Sequence, residues 1–147
     1  MTESCVLCAL ALNPEAIAGG MIYKSKNFMV IHHQPPIDIE GWIIIVPLKH
    51  AESQSGLSDE ELAELYQIEK KITGILEMDF SAERVYRVCF SEQVRHIHFH
   101  LIPRTREVPG NRRGPNIFLR DDSSLVSKEK INQFCSKISA IFAGESG

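Results

Sequence analysis

No run of apolar residues in this chain is long enough to cross a bilayer, and its start, Met1-Thr2-Glu3-Ser4-Cys5, lacks the basic end and apolar stretch of a secretory leader. Excess charge is missing as well. A formal net charge of -3 exerts no overall pull on nucleic acid or an anionic membrane, so a nucleotide would have to be held by a local site. There are no internal repeats, low-complexity tracts or long linkers, which predicts one domain over residues 1–147. Cysteine is sparse, at four residues in 147, and a chain of this length buries a core without disulfide staples. Reduced thiols and a cytoplasmic location are therefore expected. Cys89 and Cys135 stand alone in apolar surroundings and read as small buried hydrophobes, which leaves Cys5 and Cys8 as a C-x-x-C pair.

The chain is otherwise ordinary in content, with 44% hydrophobic and 24% charged residues. Met21-Ile22-Tyr23 and Phe28-Met29-Val30-Ile31 flank Lys24-Ser25-Lys26-Asn27 and predict a hairpin, which His32-His33-Gln34-Pro35-Pro36 ends. Trp42-Ile43-Ile44-Ile45-Val46 is apolar throughout and predicts a strand buried on both faces, stopped by Pro47. Ser58-Asp59-Glu60-Glu61 is a capping box that opens a helix running to about Met78, with Leu62, Leu65, Ile68, Ile72 and Ile75 on one stripe. Strands are expected over Val85–Phe90 and Arg95–Ile102, and a long polar loop over Arg104–Asp122. A last helix starts near Ser127 and buries Ile131, Phe134, Ile138, Ile141 and Phe142. The fold class is α+β, a sheet covered by two helices.

Chemistry concentrates in His96-Ile97-His98-Phe99-His100. Side chains alternate across a strand, so the three histidines share one face while Ile97, Phe99 and Leu101 share the other. Imidazoles spaced about 7 Å apart along that face can surround one small group. Not all can be protonated together, because like charges at that range oppose one another. A neutral imidazole attacks phosphorus well, and a neighbour can stabilise phosphate oxygens or the leaving group. A three-histidine metal site is a second reading, weakened because no carboxylate lies close by in sequence. An exposed strand of accidental histidines is the third.

His96-Ile97-His98-Phe99-His100-Leu101-Ile102 resembles the H-φ-H-φ-H-φ-φ signature (φ apolar) of the histidine triad, or HIT, family, and Pro103-Arg104 continues it. Upstream, Cys5-Val6-Leu7-Cys8 resembles the family's N-terminal zinc pair. Ile43-Ile44-Ile45-Val46-Pro47-Leu48-Lys49-His50 resembles its buried strand ending in Pro-x-x-His. The resemblance implies a five-stranded antiparallel sheet with helices and a homodimer. It also implies hydrolysis or transfer at the α-phosphate of a nucleotide ester, anhydride or phosphoramidate. By that match His98 forms a nucleotidyl-histidine intermediate, and His100 contacts the transferring phosphate or assists the leaving group. The first histidine of the array binds zinc in related uridylyltransferases, so a structural zinc held by Cys5, Cys8, His50 and His96 is implied. Two thiolates and two imidazoles suit a closed tetrahedral site. An inert or redox pair is the alternative for Cys5 and Cys8, although a redox pair would sit at a helix start after a strand and no strand precedes it.

The chain also departs from the family pattern. Many members place a histidine after the glycine that opens the buried strand, whereas Gly41 is followed by Trp42. Where a Gln-Ser or Gln-Thr often helps to hold phosphate, this chain has Glu92-Gln93. Gln93 is the better phosphate contact, and Glu92 suits a cationic or amine-bearing leaving group. His32, or His33 beside it, falls where the family puts a ribose-contacting polar residue. Arg104, Arg106, Arg112 and Arg113 read as a solvated loop in preference to a phosphate-steering patch. A zinc-stabilised nucleotide-binding adaptor without turnover is the rival to an enzyme, and the retained His98 beside His100 argues against it. Phosphorylases and nucleotidylyltransferases differ from a hydrolase only in the acceptor.

Overall fold

The computed structural model describes residues 4–144, so Met1–Glu3 of the supposed leader-free start lie outside the described residues. The chain order is α1 (Val6–Leu12), β1 (Tyr23–Lys24), β2 (Phe28–His32), β3 (Ile43–Pro47), α2 (Asp59–Asp79), β4 (Arg84–Val88), β5 (Phe99–Arg104) and α3 (Lys128–Gly144). All five strands pair antiparallel in one sheet, ordered β1-β2-β3-β5-β4. Among the described residues, no helix is long and apolar enough to cross a membrane.

The α+β class and the five-stranded antiparallel sheet are as expected, but the described residues form three α-helices where the sequence predicts two. The extra one, α1, is seven residues long and apolar nearly all round, so it carries no helical stripe to read. Its N-cap is Cys5, whose sulfur accepts the Cys8 N–H at 3.4 Å. The α2 capping box forms as predicted: Ser58 Oγ accepts the Glu61 N–H at 3.0 Å, and Glu61 accepts the Ser58 N–H at 2.8 Å.

Strand β5 begins at Phe99, not at Arg95, because the preceding backbone is bonded elsewhere. The Ile97 N–H donates to Ala51 O at 2.7 Å and the His98 N–H to Ser91 Oγ at 3.2 Å. Cys135 is buried as expected, whereas Cys89, one residue past the end of β4, is exposed.

Register decides what each face presents. Opposed residues in antiparallel strands share a face, so Ile31, Ile44, His100 and Val88 lie across one side. His32, Ile43, Leu101 and Arg87 lie across the other. Helices α2 and α3 cover the second side: Glu69 of α2 pairs with Arg87 at 2.9 Å, and Phe134 of α3 meets the His32 ring edge-on at 5.6 Å. Phe99, Leu101, Ile43, Leu65, Ile72, Leu76, Ile131 and Ile138 form the driest part of the core. Each such side chain contributes about 1.5–3 kcal/mol by leaving water.

The first side is covered by α1 and by the chain between β5 and α3, where Tyr86 of β4 accepts the Gly114 N–H at 2.9 Å. Gly41 turns the chain into β3 with φ +90, and a Cβ there would lie 3.0 Å from the Phe134 ring. The Gly41 N–H donates to His32 Nε2 at 2.9 Å, and Trp42 follows on the first side.

Candidate active site and metal centre

His100 projects from β5 onto the first side of the sheet, and His98 precedes it with the same parity. Their rings meet edge-on with centroids 5.1 Å apart. His98 Nδ1 lies 2.8 Å from the His96 carbonyl oxygen, which can only accept, so Nδ1 carries the proton and Nε2 is left with a free lone pair. His100 is 8% exposed, and burial, reinforced by His98 and His33, pushes its pKa down to about 3. Its Nδ1 is 2.9 Å from the indole N–H of Trp42.

These groups line a cleft of about 750 Å³ walled by His33, Trp42, Phe90, Phe118 and α1, with Gln93 and Glu92 exposed at its rim. Phe118 comes from the stretch expected to be a polar loop. It stands edge-on to Trp42 at 5.3 Å and to Phe90 at 5.1 Å. A larger groove of about 1020 Å³, between the loop after β5 and the start of α3, is lined by no histidine or cysteine. The histidines His33, His98 and His100 line the smaller cleft.

His32 does not reach that cleft, which corrects its expected role. It faces α3, is fully buried, and uses both ring nitrogens within the fold: Nδ1–H donates to His33 O at 2.8 Å and Nε2 accepts from Gly41. His33 has the opposite parity and faces Trp42 at 5.1 Å and His100 at 6.2 Å. Burial lowers its pKa, with His98 and Arg120 acting in the same direction. Of the arginines of the long segment, Arg106 and Arg113 are exposed, as expected of a solvated loop, whereas Arg104 and Arg112 are largely covered. Arg104 and Arg106 pair with Glu83, Arg112 pairs with Asp38, and Arg113 caps Val108 O at 3.0 Å. Arg120, which the sequence did not single out, lines the cleft instead.

His96 is separated from the other two histidines by its partners. Its Nδ1 lies 3.3 Å from Cys5 Sγ and 3.4 Å from Cys8 Sγ, and Cys8 Sγ lies 3.4 Å from His50 Nδ1. One donor atom from each of Cys5, Cys8, His50 and His96 falls within 4.8 Å of the others. Tetrahedral zinc, with Zn–S about 2.3 Å and Zn–N about 2.0–2.1 Å, needs donors roughly 3.3–3.8 Å apart, so the group can hold a metal. The His96 Nε2–H donates to Pro47 O at 2.8 Å, which leaves Nδ1 as the coordinating nitrogen. None of the four cysteines is in a disulfide.

Parity would have separated His33 from His32, had the β2–β3 register been known. The Trp42 contact left no sequence signal beyond the departure itself, and Phe118 left none. Residues 15–107 match the model of the HIT domain family. An adenosine 5'-monophosphoramidase of Candida albicans is 27% identical over 116 residues, covering 73% of this chain and 74% of that protein. Among solved structures, a zinc-bound histidine triad family protein from Mycobacterium smegmatis superposes with a TM-score of 0.71 at 20% identity, over 99% of both chains. A diadenosine triphosphate hydrolase from Plasmodium falciparum does so with a TM-score of 0.66 at 17% identity, over 86% of this chain and 78% of that one.

Proposed function

Because the chain belongs to the HIT domain family, we propose that it is a nucleotidyl hydrolase or transferase acting at the α-phosphate of a nucleotide ester, anhydride or phosphoramidate. The observation that carries this is the orientation of one ring: His98 Nδ1–H is tied to the His96 carbonyl at 2.8 Å, so Nε2 is the nucleophilic nitrogen beside the cleft. Nε2 attacks phosphorus, and a P–N bond forms as the bond to the leaving oxygen or nitrogen breaks. The leaving group departs with that electron pair and takes a proton from solvent. Water then attacks the same phosphorus, the P–N pair returns to Nε2, and a nucleoside monophosphate is released. His100 donates to a phosphoryl oxygen, Gln93 at the rim contacts phosphate, and His33, of the two neighbouring histidines, takes the ribose contact. The aromatic wall accepts the base.

Zinc at Cys5, Cys8, His50 and His96 is structural: it would tie α1 to the chain flanking β3 and β5 and take no part in the reaction. One domain carries both centres. A Cys5–Cys8 pair kept reduced for zinc suits a reducing, cytoplasmic location. A homodimer follows from the family resemblance, and the unpaired outer edge of β4 offers a surface for it.

Likeness to a monophosphoramidase puts P–N substrates first in the test. The protein is incubated with nucleoside phosphoramidates, dinucleoside polyphosphates and nucleotide sugars, with and without orthophosphate, and products are identified by mass. Nucleoside monophosphate marks a hydrolase; nucleoside diphosphate formed only with orthophosphate marks a phosphorylase. Nucleotide binding without any product would leave the adaptor and remove the proposal.

A further inference from the structure

Trp42 stands where many HIT members carry histidine, and the substitution is not neutral in hydrogen-bonding terms. An imidazole can donate or accept; an indole N–H can only donate. Trp42 Nε1–H points at His100 Nδ1 at 2.9 Å. Both side chains are nearly dry, at 3% and 8% exposed, so no solvent competes for that bond. The indole plane is itself held, with His33 edge-on at 5.1 Å on one contact and Phe118 edge-on at 5.3 Å on another.

Resting on the function proposed above, we propose that Trp42 is a positioning residue that pins His100 as the Nε2-protonated tautomer, a neutral N–H donor beside His98. With Nδ1 committed to the indole, the single proton of the neutral ring sits on Nε2. Burial keeps the ring neutral, since its pKa is pushed down to about 3. A neutral imidazole N–H donates a hydrogen bond and keeps its proton. His100 therefore stabilises charge on the phosphoryl oxygens as it develops, and the leaving group's proton has another source.

The test reads the tautomer directly, from the ring ¹⁵N shifts and two-bond couplings of His100 in ¹⁵N-histidine-labelled protein, alongside kcat and KM on a phosphoramidate. Wild type should show Nε2–H at His100. Trp42→Phe keeps most of the bulk and removes the donor. It should convert His100 to a tautomer mixture and lower kcat about tenfold with little change in KM. Trp42→His, which donates or accepts, should give an intermediate mixture and a partial loss. Phe118→Leu loosens the packing around the indole but leaves its N–H, so His100 should stay Nε2–H. A wild-type His100 carrying Nδ1–H overturns the proposal, and that spectrum decides even if Trp42→Phe does not fold. So does an unchanged tautomer, or an unchanged kcat, in a folded Trp42→Phe. If wild type turns over no substrate, the function fails while the spectrum still judges Trp42.

Discussion

The two ring nitrogens of His98 have separate tasks, one bonded to the His96 carbonyl and one facing the cleft. His98→Ala removes both, so turnover should be abolished while nucleotide binding survives, measured by equilibrium titration beside steady-state kinetics. A half-buried ring at the cleft wall adds little to stability, and the variant should melt within about 0.5 kcal/mol of wild type. His100→Ala should slow the reaction less, since the nucleophile remains. His32 affects a different observable. Burial lowers its pKa from the ordinary 6.5 to about 4, so between those values the unfolded chain binds a proton that the folded one refuses. Stability should therefore be full above about pH 6.5 and fall as the pH drops toward 4, by on the order of 3 kcal/mol from this residue. Urea midpoints across that range should show the slope, and His32→Gln should flatten it. A slope unaffected by the substitution would mean that other groups cause it.

Among the elements, the segment between β5 and α3 matters most to the cleft, because it carries Phe118 and is held by one buried pair. Arg112 bonds to Asp38 and to the carbonyls of Asn116 at 3.0 Å and Ile117 at 2.7 Å. Burial alone would raise the Asp38 pKa, but the Arg112 guanidinium and the Asp121 N–H hold it below the usual carboxylate range. Arg112→Ala strands a carboxylate whose side chain is 2% exposed, so it should cost about 3–5 kcal/mol and raise KM as Phe118 comes loose. Arg106→Ala, at 87% side-chain exposure, should cost about 0–1 kcal/mol in the same melts. Cys8→Ser should lower both bound zinc and melting temperature, since α1 loses its tether; full stability without metal would remove the zinc assignment.

Legibility at this scale followed the strength of local signals. Ser58 and Glu61 announced α2, and the stripe from Ile131 to Phe142 announced α3. Helix α1 has no polar face to set a period, and the start of β5 depends on Ala51 and Ser91, which lie outside any local pattern. The alternation of His96, His98 and His100 set His98 and His100 on one face, whereas grouping Cys5, Cys8, His50 and His96, which the fold does bring together, came from the family resemblance and not from spacing. Choosing His33 over His32 required the β2–β3 register, and Phe118 required the Arg112 clamp.

At the scale of the molecule, β4 is a five-residue edge strand whose outer side pairs with no other strand among the described residues, and Tyr66 of α2, the helix before it, is exposed. Sedimentation at micromolar concentration should find twice the 16.6 kDa chain mass, and a species of one chain would remove the homodimer. The inner strands carry a different burden. Trp42 leads into β3 and His100 sits on β5, strands with a neighbour on each side, so neither ring lies on an outer edge of the sheet. An outer edge can thus be given over to association. A second copy seated along β4 would leave Trp42 and His100 where the inner strands hold them.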